Sequence, residues 1–530
     1  MLRRRRLLLF SLIALAGIIP AAPAAAKTVP ASPPFRVIIL DHMAGWQLRQ
    51  FARHGAVGLL VPGAGPTTNR RQALAQLVRG RQQNAHLGGV PSGPPILSAN
   101  SATGTPSHTR TIIVTLPPKS ERPVANDKRY YVVVLGGGFH GLLVSKTTRI
   151  PGLVSIVDLA PTALGHQRGS LTSTPAPHAI AQLKRLNAQI HANNRLKLAA
   201  LIVLACVALL LAVVRPRAAL TSVPAALFAS IALGGLHVTN EVVIMAVLVV
   251  ASVGGGLVLA RVCRTDGRLL LLFLSVILVH LYLLARRPDW VALTPLGPTQ
   301  NSRFWGIGNQ LETLLLAPLL AGAVLAGRRF GVLGFSAFGA LGLFMMTDNR
   351  FGSDGGGAIV LGIALAFLGA RLFRLGTRGF LLLLGASAAV VLKVVSANLN
   401  TAGPDHLRSA FSNGLSGLWA VAENRWPLSY LPAIDNWQVV LPLLLWFVGS
   451  FAVALFIARR RPTRDFVVTL GIATVASLLV NDSAMYELTG GVAVLGALVR
   501  FAPAPAVPFS LRSLVRGRRL QPAPVEVLDD

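Results

Sequence analysis

"GPTQNSRFWGIGNQLETLLLAPLLAGAVLAGRR", residues 297–329, joins a polar entrance to an apolar run that ends on two arginines. The apolar run has the length that a helix needs to cross the roughly 30 Å hydrocarbon core of a bilayer. A membrane helix does not require a polar entrance, so its residues are candidates for function. They are Asn301, Arg303, Trp305, Asn309 and Glu312.

Composition and pattern indicate that most of the chain is a membrane protein. Of its 530 residues, 53% are hydrophobic and 13% are charged. A soluble protein of this size carries more charge and lacks long apolar runs. From residue 196 onward the runs predict about eleven transmembrane helices, near 196–214, 219–236, 242–260, 269–285, 311–327, 330–346, 355–373, 379–395, 438–458, 466–480 and 488–502.

The distribution of arginine predicts how these helices are oriented. The chain has 50 Lys+Arg against 19 Asp+Glu. Arginines cluster in the short loops that follow odd-numbered segments, such as 215–217, 328–329 and 459–464. By the positive-inside rule these loops and the C-terminus are cytoplasmic, in a multi-pass protein of the plasma membrane of a bacterium. The positive charges form no basic face with interleaved aromatics, so we expect membrane lipids as partners and no nucleic acid.

The N-terminus predicts export of the region that precedes the bundle. Four arginines, an apolar core and small residues predict a secretory signal peptide over residues 1–26, with an uncleaved anchor as the alternative. Residues 27–190 are then extracytoplasmic, and they contain no cysteine, so we expect no disulfide framework there. The other predicted regions are a transmembrane bundle (196–502), a long outer loop with an interfacial helix (396–437) and a cytoplasmic tail (503–530).

The exported region alternates strand patterns with helix patterns. "FRVIILD", "GAVGLLVPG", "RTIIVTL" and "RYYVVVLGGG" predict strands, and the whole predicts an α/β domain with a mostly parallel sheet. "VIILD", "GPTTNRRQALAQLVRG" and "RIPGLVSIVDLAPTALG" resemble the alkaline phosphatase–sulfatase superfamily. That family has an Asp at the end of its first strand and a Ser, Thr or Cys nucleophile before a helix.

The resemblance implies roles for a few residues of the exported domain. Asp41 matches a metal ligand, and Thr67 or Thr68 matches the nucleophile. The later metal ligands are missing, because Leu116, Pro117 and Pro118 stand in their place and His140 is a lone candidate. We therefore expect a degenerate relic of the family that binds no metal and acts as a binding or gating module. A working hydrolase is the alternative.

Polar residues of the bundle collect at the predicted outer ends of its helices, in four clusters. A charged group in hydrocarbon costs several kcal/mol unless it is paired or wetted, so such clusters point to function. The alternative is that they only cap helices and pair locally, as Arg350 with Asp348 or Asp354. Besides the entrance, the clusters contain Asp348, Asn349, Arg350 and Asp354; His406, Arg408, Glu423 and Arg425; and Asn481, Asp482, Ser483 and Glu487.

These residue types suit the handling of a lipid-linked phosphate. Arginine forks bind phosphate oxygens, glycines 355–357 let backbone N–H groups approach an anion, and a carboxylate or His406 can deprotonate an acceptor hydroxyl. Residues 297–480 are similar in layout to O-antigen ligases and polymerases, which are metal-independent glycosyltransferases acting on polyprenyl-linked glycans. The similarity implies catalysis by Asp354, Glu312 or His406. It also implies that Arg303, Arg350 and Arg408 bind the pyrophosphate. From the polar clusters as a whole we expect substrate binding by Asn301, Arg303, Trp305, Asn309, Asp348, Asn349, Arg350, Arg408, Asn481 and Asp482.

Other functions compete with a transferase that acts on a polyprenyl-phosphate-linked glycan. Glycines at 254–256 and 355–357 interrupt two segments, which is typical of carriers with broken helices. A transporter or flippase of an envelope lipid or anionic solute is therefore one alternative, and a non-enzymatic scaffold or sensor is another. The chain has no GxxxxGK[ST] loop, and we expect no cofactor.

Overall fold

A computed structural model of the chain describes residues 35–63, 65, 67–80, 110–120, 122, 124–165, 171–300, 304–399, 430–459 and 461–501. The predicted signal peptide, the interfacial helix of the long outer loop and the C-terminal tail lie outside these residues.

The N-terminal part is an α/β domain built on a seven-stranded sheet, with strand order β1-β4-β6-β2-β7-β9 and β8 paired to β2. The strands of this sheet are β1 (Arg36–Leu40), β2 (Gly55–Val61), β4 (Thr111–Thr115), β6 (Tyr130–Leu135), β7 (Gly141–Val144), β8 (Leu153–Ser155) and β9 (Thr172–Thr174). Two short strands, β3 (Thr67–Thr68) and β5 (Val124–Ala125), pair with each other in a separate antiparallel sheet. The helices of the domain are α1 (Gly45–His54), α2 (Arg70–Arg79) and α3 (Leu159–Ala163).

The sheet is mixed, which corrects the prediction of a mostly parallel one. Three pairs are parallel: β1 with β4, β2 with β7, and β2 with β8. Three pairs are antiparallel: β6 with β4, β6 with β2, and β9 with β7. A parallel return needs a long crossover, usually a helix. In the described residues between β4 and β6 only the short strand β5 occurs, so the chain turns back on itself.

The rest of the described chain is helical. The helices are α4 (Ala179–Val214), α5 (Pro216–Gly235), α6 (Glu241–Val250), α7 (Gly256–Val262), α8 (Asp266–Arg286), α9 (Pro288–Ala292), α10 (Asn309–Thr347), α11 (Gly355–Leu372), α12 (Gly376–Leu399), α13 (Trp437–Ile457), α14 (Arg461–Val480) and α15 (Ala484–Leu498). A π-helical turn, Ala251–Gly255, joins α6 to α7, so the two form one apolar element.

Nine helices of the described chain are long and apolar enough to cross a membrane, which confirms a polytopic helical protein in outline. The element Asn309–Thr347 contains two arms, because Gly331 has φ 68° and ψ −155° and reverses the chain. A Cβ at Gly322 would meet the Phe338 ring, and one at Gly342 would meet Leu319, so the arms lie antiparallel. The apolar helix α15 is shorter, at 15 residues, and the count of eleven crossings stays a prediction.

One helix, α4, connects the α/β domain to the bundle without interruption. Its first turns pack against the sheet, where Leu183 and Leu186 share a buried core with Leu153 of β8 and with Phe304. Its later turns carry apolar residues of the bundle core, such as Leu201 and Leu204. The predicted boundary between residues 190 and 196 therefore falls inside a continuous helix. We call the end of the bundle that meets the domain the domain-proximal end.

A polar stripe on α4 holds the loop 293–300 against the bundle. The carbonyl of Leu293 accepts hydrogen bonds from Gln189 Nε2 (3.0 Å) and Asn193 Nδ2 (2.8 Å). One turn further, Lys197 Nζ donates to the carbonyls of Gly297 (2.6 Å) and Pro298 (3.2 Å). The three side chains lie four residues apart, which places them on one helix face. This loop leads directly into the polar entrance of α10.

Replacing Gln189 and Asn193 together by Leu should destabilise the protein, because the buried Leu293 carbonyl loses both donors. An unsatisfied buried acceptor costs about 1–3 kcal/mol. Thermal unfolding of the full chain in detergent measures the loss. The control is Gln182→Leu with Asn187→Leu, since these two residues have the same side-chain types and are exposed on the same helix. Equal effects of the two double variants would contradict the role of the stripe.

Candidate functional site

Three helices begin side by side at the domain-proximal end. α10 starts at Asn309, α11 at Gly355 and α15 at Ala484, and each carries an acidic residue in its first turn or at its N-cap. Glu312, Asp354 and Glu487 are 0%, 3% and 1% exposed. Negative charge near a helix N-terminus interacts favourably with the helix dipole, which partly offsets the burial of these carboxylates.

The side chain of Asn481, in the turn between α14 and α15, connects two of these carboxylates. Its Nδ2 is 3.0 Å from Glu312 Oε2, 3.2 Å from Glu487 Oε1 and 2.9 Å from Ser477 Oγ. Asp354 caps α11 by accepting a hydrogen bond from the backbone N–H of Gly357 at 3.2 Å. The acid–amide cluster is defined as Glu312, Thr313, Asp354, Ser477, Asn481 and Glu487.

Glu487 has only neutral hydrogen-bond partners among the described residues. Its Oε2 accepts from the hydroxyls of Ser477 and Thr313, the latter at 2.7 Å, and its Oε1 from the amide of Asn481. The Thr313 hydroxyl is also 2.9 Å from the carbonyl of Asn309, and it has one hydrogen for two acceptors. If that hydrogen goes to the carbonyl, the contact with Glu487 requires a proton on the carboxyl.

Two glycines at the start of α11 allow the cluster to pack this closely. A Cβ at Gly356 would lie 2.1 Å from Asn481 Oδ1, and one at Gly357 would lie 2.8 Å from Glu312 Cγ and Cδ. Both distances are too short for a real contact. The "GGG" of the sequence thus serves the approach of side chains from neighbouring helices in the described structure.

Residues at the rim of the cluster are paired with each other. Asn309 Nδ2 donates to Asp482 Oδ1 at 2.9 Å, and both residues are accessible. Arg350 forms two hydrogen bonds with Asp348, Nε to Oδ1 (3.0 Å) and Nη2 to Oδ2 (2.9 Å), and these bonds raise the pKa of Arg350. Arg350 thus pairs locally with Asp348, which the sequence offered as the alternative to a functional role for this arginine. Asn349 accepts a hydrogen bond from Ser353 Oγ at 3.1 Å.

Trp305 lies between the bundle and the α/β domain. Its Nε1 donates to the carbonyl of Thr147 at 2.9 Å, and the guanidinium carbon of Arg149 is 3.4 Å from its ring centroid. Nearby, Arg129 Nη2 donates to the carbonyl of Gln300 at 2.5 Å, and burial lowers the pKa of Arg129 to about 10. Trp305, which the sequence predicts to bind substrate, therefore contacts Thr147 and Arg149 of the α/β domain.

Four predicted residues lie outside the part of the chain that the structure describes: Asn301, Arg303, His406 and Arg408. Of the remaining bundle residues, the structure brings Asn309, Glu312, Asp354, Asn481 and Asp482 together. Three of the four sequence clusters are therefore represented in one place.

In the α/β domain, Asp41 follows β1 and is engaged by two cations. Arg70 Nη1 is 2.6 Å from its Oδ1 and Lys119 Nζ is 3.3 Å from its Oδ2. Lys119 and Arg70 lower the pKa of Asp41, although the group is exposed. Thr67 and Thr68 lie at the same end of the sheet, just before α2, and Thr68 is buried. His140 lies at the start of β7, at the opposite end of the parallel strands.

These residues do not fit the pair of metal ions that the superfamily resemblance implies. Asp41 offers one carboxylate, and both of its oxygens face cationic side chains. Within the described residues no group of three His, Cys, Asp or Glu side chains is arranged to hold a metal ion.

Sequence reasoning missed several residues of the cluster. Thr313 and Ser477 are ordinary helix residues by composition, but each lies four positions from a polar cluster residue, Asn309 and Asn481 respectively. Such a spacing places them on the same helix face. The sequence places Glu487 in a polar cluster, but its contact with Thr313 of another helix becomes visible only in the folded chain.

Comparisons of the chain with protein-family models, with curated proteins and with solved structures found no match. The resemblances to the alkaline phosphatase–sulfatase superfamily and to O-antigen ligases and polymerases therefore stay predictions.

Gly356→Ala should disturb the cluster, because the added methyl group would displace the Asn481 amide. Overpacking of this kind costs about 1–3 kcal/mol. The matched control is Gly385→Ala in α12, where a Cβ would meet nothing within 4 Å; there alanine should be neutral or stabilising by up to about 1 kcal/mol. Thermal unfolding of both variants measures the difference, and equal stability would contradict the described packing.

Proposed function

We propose that this chain is a multi-pass membrane protein of the cell envelope that carries a lipid-linked or anionic envelope component, with the acid–amide cluster as its proton-binding site. The domain-proximal end faces outward in this proposal, as the arginine distribution predicts. The observation that carries it is the burial of Glu487 at 1% exposure among neutral partners.

A proton is the ligand that suits this environment. A buried carboxylate is costly in its charged form unless a cation or several strong donors compensate. Protonation removes that cost and supplies the hydrogen that Thr313 lacks when it donates to the Asn309 carbonyl. Because the carboxylates of the cluster are almost fully covered, a bulky acceptor cannot reach them in this conformation, whereas a proton can.

The interruption of the third apolar segment also supports a carrier. The π-helical turn Ala251–Gly255 widens the backbone between α6 and α7, and the Thr221 hydroxyl donates to the carbonyl of Gly256 at 2.7 Å. π-Helical turns are rare and frequently occur at functional sites. An interrupted helix is a natural place for a bundle to bend between two conformations.

A transferase acting on a polyprenyl-phosphate-linked glycan is the second candidate. It is favoured by the accessible pair Asn309–Asp482, which lies beside the buried carboxylates and offers polar groups to a sugar. In that case opening of the cluster would bring Glu312 or Asp354 to an acceptor hydroxyl as general base.

Transport by the full chain in lipid vesicles tests the proposal, with a fluorescent polyprenyl pyrophosphate as the probe. A pH gradient should accelerate probe translocation, and Glu487→Gln should reduce that acceleration roughly fivefold or more, the lower range of energetic coupling between sites. The control is Glu241→Gln, which removes an exposed carboxylate paired with Arg195.

The carrier proposal would be contradicted if the probe is not translocated. It would also be contradicted if the rate of translocation depends neither on the pH gradient nor on Glu487→Gln. Transfer of sugar from a glycan-bearing probe to an added acceptor, without any gradient, would instead support the transferase.

A further inference from the structure

The segment that precedes α10 is held in place by contacts with the α/β domain. We define the entrance segment as residues 304–308. Phe304 is 3% exposed and belongs to the buried core shared with the sheet, and Trp305 contacts Thr147 and Arg149. Arg149 and Trp305 are both half-buried, and a cation–π contact of this kind contributes more than one that is fully exposed to water. The entrance segment is thus fixed to the domain by packing, one hydrogen bond and one cation–π contact.

In the α/β domain, the loop 145–149 that contacts Trp305 is itself hydrogen-bonded to the buried carboxylate of Asp158. Asp158 accepts from the hydroxyls of Ser145 and Thr147, the latter at 2.8 Å, and from the backbone N–H of Thr147 at 3.2 Å. Arg149 has a positive φ of 56°, a conformation that L-residues rarely adopt. The loop 145–149 therefore has a fixed shape, and it holds Trp305 from a rigid base.

On the bundle side, the same segment touches the chain that leads to the acid–amide cluster. Ile307 N donates to the carbonyl of Gly352 at 3.1 Å, two residues before Asp354. Gly306 has φ 84°, and a Cβ there would lie 2.3 Å from the same carbonyl oxygen. After Gly308 the chain enters α10, whose first turn carries Asn309 and Glu312. One short segment thus positions two of the three helix starts.

We infer that the α/β domain controls the acid–amide cluster by holding Trp305, so that a shift of the whole domain, which carries the loop 145–149 with it, releases the first turns of α10 and α11. Trp305 is a positioning residue in this account, and the domain is a built-in regulator. The regulatory meaning rests on the proposed function, whereas the mechanical link between domain and cluster does not.

Hydrogen–deuterium exchange of the full chain in lipid nanodiscs tests the mechanical link without any transport assay. Trp305→Ala and Arg149→Ala should each raise amide exchange in residues 309–313 and 354–358. The expected increase is on the order of tenfold, because a half-buried cation–π contact is lost. Trp305→Phe keeps a ring for Arg149 and loses the N–H donor, so it should give a smaller increase.

Trp290→Ala is the matched control. Trp290 also lies beneath an arginine, with Arg287 4.9 Å from its ring centroid, but its ring packs against Gly235 of the bundle. This variant should leave exchange in 309–313 and 354–358 unchanged. Increases confined to the loop 145–149 and the entrance segment would overturn the inference, as would equal increases in the control. Transport that proves absent while the exchange pattern holds would refute the proposed function alone.

Discussion

The arrangement of the helix starts depends on one side-chain amide. Asn481 stands in the turn between α14 and α15 and donates toward Glu312 of α10 and Glu487 of α15. Buried acceptors that lose their donor cost far more than an average hydrogen bond contributes, so this turn and the two helices are held in one mutual position. The close approach of α11 then follows, because only glycine fits beside the Asn481 side chain at position 356.

The position of the acid–amide cluster in the molecule links it to the α/β domain. It occupies the end of the bundle that the α/β domain covers, and the continuous helix α4 and the Trp305 contact tie the two parts together. In the domain, Asp41 is held in ion pairs with Arg70 and Lys119. The seven-stranded sheet packs against the first turns of α4 and against Phe304, so the domain and the bundle share a buried core.

Much of this structure could be predicted from the sequence, and the exceptions have physical causes. Apolar runs predicted the helices because a span must be long and apolar, and the glycines 355–357 marked a helix start next to the cluster. The antiparallel course of β6 escaped prediction, because strand patterns do not encode partner direction. Trp305 was expected to bind substrate, but its partners Thr147 and Arg149 lie more than a hundred residues away in sequence. Only the folded chain reveals such a pairing.

Infrared spectroscopy of the full chain in lipid, as the difference between spectra at two pH values, shows whether the acid–amide cluster holds a proton. We predict a protonated carboxyl carbonyl band at neutral pH that Glu487→Gln removes and Glu241→Gln leaves in place. The band should disappear as the pH is raised, since the proton then leaves the carboxyl. Absence of a protonated carboxyl band at neutral pH, or a band unchanged by Glu487→Gln, would show that Glu487 does not hold a proton.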